Sequence, residues 1–400
     1  MKVAIISHVL PPSWSGQSVL ISRLLEDRPP GEYCLISEHE WGAAGAHEFS
    51  RRLPGSYHRL STKNLLTRGQ RLDSVQRINS YVRGRRIARV ARREGCGAVL
   101  AFSGNLTDLP AGFAASRMLK VPFYAYACDY YSQQHTDARA RAIAERVEPK
   151  VLRGARAVIV PNEFLRDELR RRYGVEPVVI RNPCDLGAYQ AAPPYSAGAG
   201  EKRLVYTGAV YEAHFDAFRN LVRAIEALGR GDVRLHLYTA QAEAELAAVG
   251  IKGPVVVHGH VATTQVPAIQ KQADVLFLPL AFDSPYPEVI KTSSPFKMGE
   301  YLAARRPILV HAPADTFPAW YFRRHECGAV VSRLDPAELS GELARLISDQ
   351  KLCESLAESA WRRASDFSVE RARGLFAETV GIGAGGGAAR AGAAPARATR

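Results

Sequence analysis

The chain has 400 residues, 46% of them hydrophobic, which is enough for two or three domains of ordinary size with apolar cores. Its net charge of +13 is concentrated in residues 1–185, which hold 29 Lys and Arg against 18 Asp and Glu. This half therefore suits an anionic partner such as a membrane surface or a lipid phosphate. Without a zinc-finger, helix-turn-helix or RNP pattern, the charge does not indicate nucleic-acid binding.

The six cysteines are scattered without a C-x-x-C pair, which favours a reducing cytosol and argues against a disulfide framework or a zinc site. The sequence begins directly with a strand, and no apolar run approaches 18 residues. We therefore expect a cytoplasmic protein without a signal peptide or membrane span. Any association with the inner face of a membrane would be peripheral.

The first half alternates short apolar runs with helical patterns, as Rossmann-like domains do. Residues 2–7 predict a strand, and a loop containing Gly16 leads into a helix from Gln17 to Glu26. Glycine at such a turn lets a ligand approach the backbone closely. Further strands are predicted at residues 33–37, 97–102, 122–127 and 157–162. The strand at 122–127 runs into Asp129, which is either a site residue at a strand end or a cap of the next helix.

A strongly basic segment interrupts this pattern. Residues 51–93 contain thirteen Arg or Lys and one acid, Asp73. Apolar residues recur in it at helical spacing: Val75, Ile78, Val82, Ile87 and Val90. The segment predicts an amphipathic helix with a basic outer face. Such a helix is either a solvated surface helix or a contact for an anionic membrane or lipid phosphate, and both interpretations stay open.

The composition divides the chain into two α/β domains. A first domain over residues 1–186 is followed by a linker at 187–202, rich in Ala, Pro, Ser and Gly. A second Rossmann-like domain is expected over 203–366, with Gly208 and Gly259 at strand ends. Its strands are predicted at residues 204–208, 235–238, 255–259, 273–279, 308–310 and 329–331. The low-complexity residues 381–400 are expected to be a disordered tail.

The stretch SSPFKMGEYLAARRPILV predicts a helix followed by a buried strand. Ser294 can serve as N-cap, and Pro295 fits the first helical position. A capped helix start offers free backbone N–H groups to a phosphate. Lys297 in the first turn could hold a diphosphate, and Glu300 on the same face could hold a sugar hydroxyl. The alternative is an ordinary surface Lys–Glu pair.

This stretch and the strand ADVLFLP before it resemble the donor site of retaining glycosyltransferases of family 4. These enzymes have the GT-B fold, in which two Rossmann-like domains face each other across a cleft. Several polysaccharide-assembly branches share a Pro-x-Lys-x-x-Glu-Tyr pattern, which fits Pro295, Lys297, Glu300 and Tyr301. Glu300 corresponds to the family's glutamate at the nucleotide ribose. The family's other glutamate, at the donor sugar, falls on Thr292.

The resemblance also assigns site residues elsewhere. The family often has a glycine pair near the donor phosphates, and here Gly16 matches one of the two glycines. Many members also have a His-Asp pair near the sugar. In this chain Asp129 matches the aspartate, and Cys128 replaces the histidine. The family's loop beneath the base corresponds to Gly259, His260 and Val261. Members commonly have a cation shortly after the glycine equivalent to Gly208. Because Tyr211, Glu212 and His214 occupy that region here, the diphosphate would depend more heavily on Lys297.

The implied activity is transfer of a sugar from a nucleotide-diphosphate sugar to a hydroxyl acceptor with retention, in cell-surface polysaccharide or glycolipid assembly. Lys297 and Asp129 would be catalytic. The donor would be bound by Glu300, Ser294, Pro295, Gly16, Gly208 and the Gly259–Val261 loop. No metal or other cofactor is implied, and the acceptor would be a sugar, a lipid-linked or a small molecule. Residues 367–380 would form a helix that packs back on the first domain.

Two alternatives remain on sequence grounds. A nucleotide-sugar epimerase of GT-B type would need carboxylates and histidines around the sugar. Asp129 is the only good candidate for such a group in the sequence. A nucleotide-sugar-binding relative without turnover is suggested by Thr292 and by Cys128 in place of histidine.

Overall fold

Two parallel β-sheets, each flanked by helices, form the framework of the computed structural model, which describes residues 1–13, 15–39, 52–61, 73–196 and 200–383. Within these ranges the first sheet has seven strands: β1 (Val3–Ile6), β2 (Tyr33–Ser37), β3 (Ser56–Arg59), β4 (Ala98–Phe102), β5 (Phe123–Tyr126), β6 (Ala157–Val160) and β7 (Val178–Val179). Their spatial order is β3-β2-β1-β4-β5-β6-β7, with parallel pairing throughout. Strands β1, β2, β4 and β5 are buried along their whole length.

Helices connect these strands: α1 (Gly16–Leu25), α2 (Asp73–Arg93), α3 (Asp108–Leu119), α4 (Ala138–Arg153), α5 (Glu163–Tyr173) and α6 (Leu186–Ala191). Side-chain caps define several of their starts. The Ser15 hydroxyl accepts a hydrogen bond from the Ser18 N–H at 3.2 Å, so α1 begins at Gly16. Asn162 caps α5 in the same way through Leu165 N–H at 2.9 Å. The short α6 begins the segment that composition marks as a linker.

The second sheet has six strands within the described residues: β8 (Lys202–Thr207), β9 (Val233–Tyr238), β10 (Val255–Val257), β11 (Val275–Pro279), β12 (Ile308–His311) and β13 (Ala329–Val331). Their order is β10-β9-β8-β11-β12-β13, again parallel. The helices are α7 (Phe215–Ala227), α8 (Glu243–Ala248), α9 (Val266–Lys271), α10 (Pro287–Thr292), α11 (Lys297–Ala304), α12 (Phe317–Arg324), α13 (Pro336–Ser348), α14 (Gln350–Ala364) and α15 (Val369–Val380). The predicted architecture of two Rossmann-like α/β domains is confirmed.

In each sheet the strand order reverses direction beside its first strand. The reversal lies between β1 and β4 in the first sheet and between β8 and β11 in the second. Ligands of open α/β sheets bind outside the carboxyl ends of the strands at such a point. The residues that follow these four strands are therefore the places to look for a site.

The chain passes between the two domains at Cys184 and again at Ser368. Here the two passages pair: Cys184 N–H donates to the Phe367 carbonyl at 2.7 Å, and Val369 N–H donates to the Cys184 carbonyl at 2.9 Å. Helix α15 then packs on α1, with Phe376 and Val380 buried in the core of the first domain.

Several local expectations need correction. The basic segment is not one helix, because β3 lies within it and α2 begins at Asp73; its residues 62–72 lie outside the described part of the chain. Ile78 is 50% exposed, so it lies on the outer face of α2 and not on the packed one. Helix α10 occupies the expected loop before the donor helix. The tail does not begin at 381, since Ile382 is buried in the core; residues 384–400, where the disorder was expected, lie outside the described residues.

Among the helices that the structure describes, none combines the length and apolar character needed to cross a bilayer.

Candidate active site

Lys297 lies directly over the backbone at the end of β8. Gly208 follows this strand with φ +119°, and a Cβ placed on it would lie 2.9 Å from Lys297 Nζ. Glycine suits this position because of its positive φ, and the absence of a side chain leaves room for the ammonium. The lysine is thus brought to the carboxyl edge of the second sheet, at the point where strand order reverses.

The Lys297 ammonium has no anionic partner. Its Nζ lies 4.6 Å from the ring centroid of the buried Tyr206 and forms no hydrogen bond or ion pair with the residues that the structure describes. Burial lowers the pKa of Lys297. A partly desolvated cation without a counter-charge is costly for the fold alone, and an anionic ligand would remove that cost.

His214 does not add a second cation here. Its ring lies 5.9 Å from that of Tyr206 and 4.4 Å from that of Tyr211. Burial, with a further contribution from Lys297, lowers the pKa of His214 to about 3, so the imidazole is neutral near pH 7. The positive charge beside Gly208 is therefore supplied by Lys297, as the residues after this glycine led us to expect.

Glu300 lies one turn further along α11 and is already engaged. Its Oε1 accepts a hydrogen bond from Arg23 Nη2 at 3.1 Å, which joins α11 to α1 of the first domain. Its Oε2 forms no hydrogen bond with the described residues. The Lys297–Glu300 surface pair, considered as an alternative, is not formed, because Glu300 pairs with Arg23.

The start of α11 differs from the prediction. The helix begins at Lys297, its N-cap position is Phe296, and no side chain caps it. Ser294 is therefore not the N-cap, and its Oγ is buried without a hydrogen-bond partner in the described structure. The reason is tertiary: the Ser294 carbonyl accepts from Asn182 Nδ2 at 2.6 Å, which fixes the chain at this residue. Pro295 turns the chain into the helix, where its carbonyl accepts from Met298 N–H.

Gly16 brings the first domain against this same turn. A Cβ on Gly16 would lie 3.4 Å from the Phe296 ring, so the start of α1 packs on the residue next to Lys297. Gly259, with φ +69°, follows β10 at the same edge of the sheet as Gly208, but two strands away. His260 is exposed and Val261 is half-buried there.

Asp129 follows β5 on the first domain and is half-buried. It does not cap the next helix, α4, whose start is capped by Asp137. Its carboxylate has no hydrogen bond or ion pair with the described residues, and burial raises its pKa. Asp129 and Lys297 both lie within electrostatic range of Tyr211, whose pKa is raised to about 12 mainly by burial, with opposite smaller effects from the two charges. The structure thus brings both expected catalytic residues to one region.

The first sheet contributes a second polar cluster at its own reversal point. His8 follows β1 and Gly104 follows β4, and a side chain at 104 would collide with His8 and Gln17. The Gln17 amide donates to Ser7 Oγ at 2.6 Å, whereas His8 Nδ1 is buried without a partner in the described residues. Burial lowers the pKa of His8. This cluster can hydrogen-bond a polyhydroxylated ligand.

Among the described residues, no three His, Cys, Asp or Glu side chains are grouped so as to hold a metal ion.

Comparison with known proteins finds similarity to glycosyltransferases in both domains. Residues 201–349 match the family model described as glycosyl transferases group 1, and residues 44–188 match that of Glycosyltransferase Family 4. Each of the two domains is therefore similar to a glycosyltransferase domain. The two models cover most of the second domain and most of the first domain respectively, but neither spans half of the chain. No curated protein sequence matches it.

Solved structures show that these domains adopt the GT-B fold. A sucrose-phosphate synthase from Thermosynechococcus elongatus superposes with a TM-score of 0.69 at 15% identity, over 94% of this chain and 97% of that one. HepE from Anabaena, in complex with UDP and glucose, superposes with a TM-score of 0.66 at 16% identity, over 95% of this chain and 99% of that one. A putative UDP-N-acetylglucosamine 2-epimerase from Listeria monocytogenes superposes with a TM-score of 0.59 at 12% identity, over 94% of this chain and 96% of that one.

Three features of the candidate site were missed in the sequence. Arg23 is seven residues after Gly16, which places both on one face of α1, so helical spacing could have indicated it. His8 directly follows the first strand, a position that favours site residues. Tyr206 lies inside an apolar strand, and nothing in its pattern distinguishes it from core.

Proposed function

We propose that this protein transfers a sugar from a nucleotide-diphosphate sugar to a hydroxyl acceptor with retention at the anomeric carbon. Transfer requires no metal or other cofactor in this proposal. The acceptor is a sugar, a lipid-linked or a small molecule in the assembly of cell-surface polysaccharide or glycolipid. The glycosyltransferase domains support the reaction class, and the retaining mechanism follows from the resemblance of the donor segment to retaining enzymes.

The observation that carries the proposal is the unpaired Lys297 ammonium above Gly208. When the bond between sugar and diphosphate breaks, negative charge grows on the leaving diphosphate. A preorganised cation in a partly desolvated site stabilises that charge more in the transition state than in the ground state. The start of α11 adds the positive end of a helix dipole at the same place.

The remaining predicted residues take complementary roles. Glu300 Oε2 accepts a hydrogen bond from the nucleotide ribose, and the Gly259–Val261 loop lies beneath the base. Asp129, on the opposite domain, accepts a hydrogen bond from a hydroxyl of the sugar or of the acceptor. Because burial raises its pKa, Asp129 is also suited to take up a proton as the acceptor hydroxyl attacks.

The deciding experiment incubates the protein with a panel of nucleotide sugars and candidate acceptors, with and without EDTA, and measures released nucleotide. Release that depends on acceptor and survives EDTA is expected, and NMR of the product should show the anomeric configuration of the donor. An epimerase would interconvert nucleotide sugars, and a binding protein would return the donor unchanged. Either result would contradict the proposed function.

We also propose that α2 places the enzyme on an anionic membrane, where lipid-linked acceptors are found. Its exposed residues form one stripe that contains no acid, and this stripe consists of Ser74, Arg77, Ile78, Tyr81, Arg85, Arg89, Arg92 and Arg93. Ile78 and Tyr81 are 50% and 56% exposed. An exposed apolar pair within a cationic stripe is the pattern of a helix that lies in the membrane interface.

A further inference from the structure

Arg23 connects the first domain to the donor helix of the second. Its Nη1 donates to the Pro183 carbonyl at 2.6 Å, where the chain leaves the first domain. Its Nη2 donates to Glu300 Oε1 at 3.1 Å. The guanidinium also lies 5.9 Å from the centroid of the Phe296 ring, in the turn that starts α11. One side chain thus contacts three points around the proposed nucleotide site.

The backbone of Arg23 is held as firmly as its side chain. Arg373 on α15 donates from Nε to the Arg23 carbonyl at 2.7 Å, and its guanidinium also bonds Glu26. Helix α1 is therefore fixed from the side opposite to α11. The Arg23 and Glu300 side chains are 22% and 15% exposed, so solvent screens their interaction only partly.

The helix that carries Glu300 is equally constrained. A Cβ on Gly299 would lie 2.9 Å from Phe367 Cβ and 3.1 Å from Cys184 Cβ, so α11 packs directly on both chain passages between the domains. Because the backbone of α11 is fixed there, Arg23 sets the orientation of the Glu300 carboxylate by its hydrogen bond to Oε1. The second oxygen, Oε2, has no partner among the described residues.

We propose that Arg23 is a positioning residue for nucleotide-sugar binding: by holding Oε1 of Glu300 from the opposite domain, it presents Oε2 to the ribose hydroxyls. This inference rests on the proposed function. It also implies that donor affinity depends on the two domains being in register, because Arg23 and Glu300 belong to different domains. A ribose-binding carboxylate held in place loses less rotamer freedom when the donor binds.

The test is a double-mutant cycle with Arg23→Gln, Glu300→Gln and the double variant. KM and kcat are measured with the nucleotide sugar turned over in the release assay, and Kd by calorimetry with UDP, GDP and ADP. Each single change should raise KM and Kd roughly tenfold with kcat changed less than about threefold, since binding is weakened in ground and transition states alike. The double variant should be little worse than either single one, because both remove the same interaction.

Two further variants separate positioning from general loosening. Arg305→Gln removes the ion pair between the end of α11 and Glu358 of α14 without touching Arg23 or Glu300, and should leave KM within about twofold. Arg23→Lys keeps the charge but loses the two-pronged guanidinium, and should recover only part of the affinity. Melting temperatures monitor folding of every variant.

The possible failures are distinguishable. Wild-type protein that binds none of UDP, GDP and ADP and releases no nucleotide would overturn the proposed function, and this inference with it. Turnover by the wild type, combined with additive effects of Arg23→Gln and Glu300→Gln, would overturn this inference alone. An Arg305→Gln variant whose KM rises as much as that of Arg23→Gln would also overturn this inference.

Discussion

Asp129 and Lys297 belong to different domains, yet both lie within electrostatic range of the Tyr211 hydroxyl. Each charge is partly desolvated, and neither is paired within the described residues, so burial raises the pKa of Asp129 and lowers that of Lys297. Unpaired charges of this kind destabilise a fold unless a ligand completes them. Partly buried charges without partners, brought together from two domains, mark this region as a candidate functional site.

Replacing Lys297 should affect turnover most. Lys297→Ala removes the cation that we propose stabilises the leaving diphosphate, so kcat should fall about 100-fold, the usual cost of losing one such group. Released nucleotide gives the rate. Lys291→Ala, at an exposed lysine on α10, is the matched control and should behave like the wild type. Near-normal turnover in Lys297→Ala would remove the main support for the proposed mechanism.

Asp129→Asn should lower activity while raising the melting temperature at pH 7. A carboxyl whose pKa is raised by folding opposes stability once ionised, and this cost disappears as pH falls through the folded pKa. The difference in melting temperature should therefore shrink in acid. Asp232→Asn is the control with the opposite sign, because Arg230 lowers the pKa of Asp232 and the native carboxylate is favoured. A loss of stability in Asp129→Asn at pH 7 would show that the carboxylate has a stabilising partner.

Gly208→Ala should impair the donor site as well as the fold. The backbone at φ +119° is unfavourable for alanine, and the new methyl group would displace the Lys297 ammonium. Gly229→Ala is the matched control, since its φ is +63° but no atom lies within 4 Å of the added Cβ. It should cost about 1 kcal/mol in stability and leave kcat unchanged. Equal kinetics in the two variants would mean that Lys297 tolerates displacement.

Vesicle binding should depend on the exposed stripe of α2. Each cation near an anionic surface contributes about 1 kcal/mol, so replacing Arg85, Arg89 and Arg92 together by Gln should weaken co-sedimentation with anionic vesicles more than tenfold. Salt should weaken wild-type binding steeply. The control replaces Arg234, Arg333 and Arg362, which lie on the second domain, and removes the same charge. Equal losses in both triple variants, or wild-type binding to neutral vesicles, would contradict a specific role for α2.

Two truncations should differ sharply despite their similar length. Deleting residues 384–400 should leave the melting temperature unchanged, because this composition has little apolar surface to bury. Deleting residues 381–400 also removes Ile382, which is buried in the first-domain core, and should lower the melting temperature measurably. Equal melting temperatures would show that Ile382 contributes nothing to stability.

The sequence predicted the two domains and nearly all of the buried strands, because apolar runs at strand spacing report burial directly. It failed where tertiary contacts override local signals. Ser294 precedes a proline and a helical pattern, yet Asn182 fixes its carbonyl and the helix starts at Lys297. Helix α12 went unpredicted because Trp320, Tyr321 and Phe322 are weak helix formers.

The pattern around Lys297 and Glu300 predicted the helix α11 but not its surroundings. The partner of Glu300 is 277 positions away in sequence, and no local spacing encodes a pair between two domains. The juxtaposition of Asp129 with Lys297 likewise depends on how the domains face each other. The basic outer face of α2 was predicted from charge, but the outward position of Ile78 follows from the packing of α2 on α3.

The paired passages at Cys184 and Ser368 hold the two domains together at one place. If one domain rotated against the other about these passages, each atom would move in proportion to its distance from them. Gly299 packs directly on the passages, so its neighbour Glu300 would move little. Such a rotation would leave the surroundings of Glu300 nearly unchanged and would change most the distances between groups of the two domains that lie far from the passages.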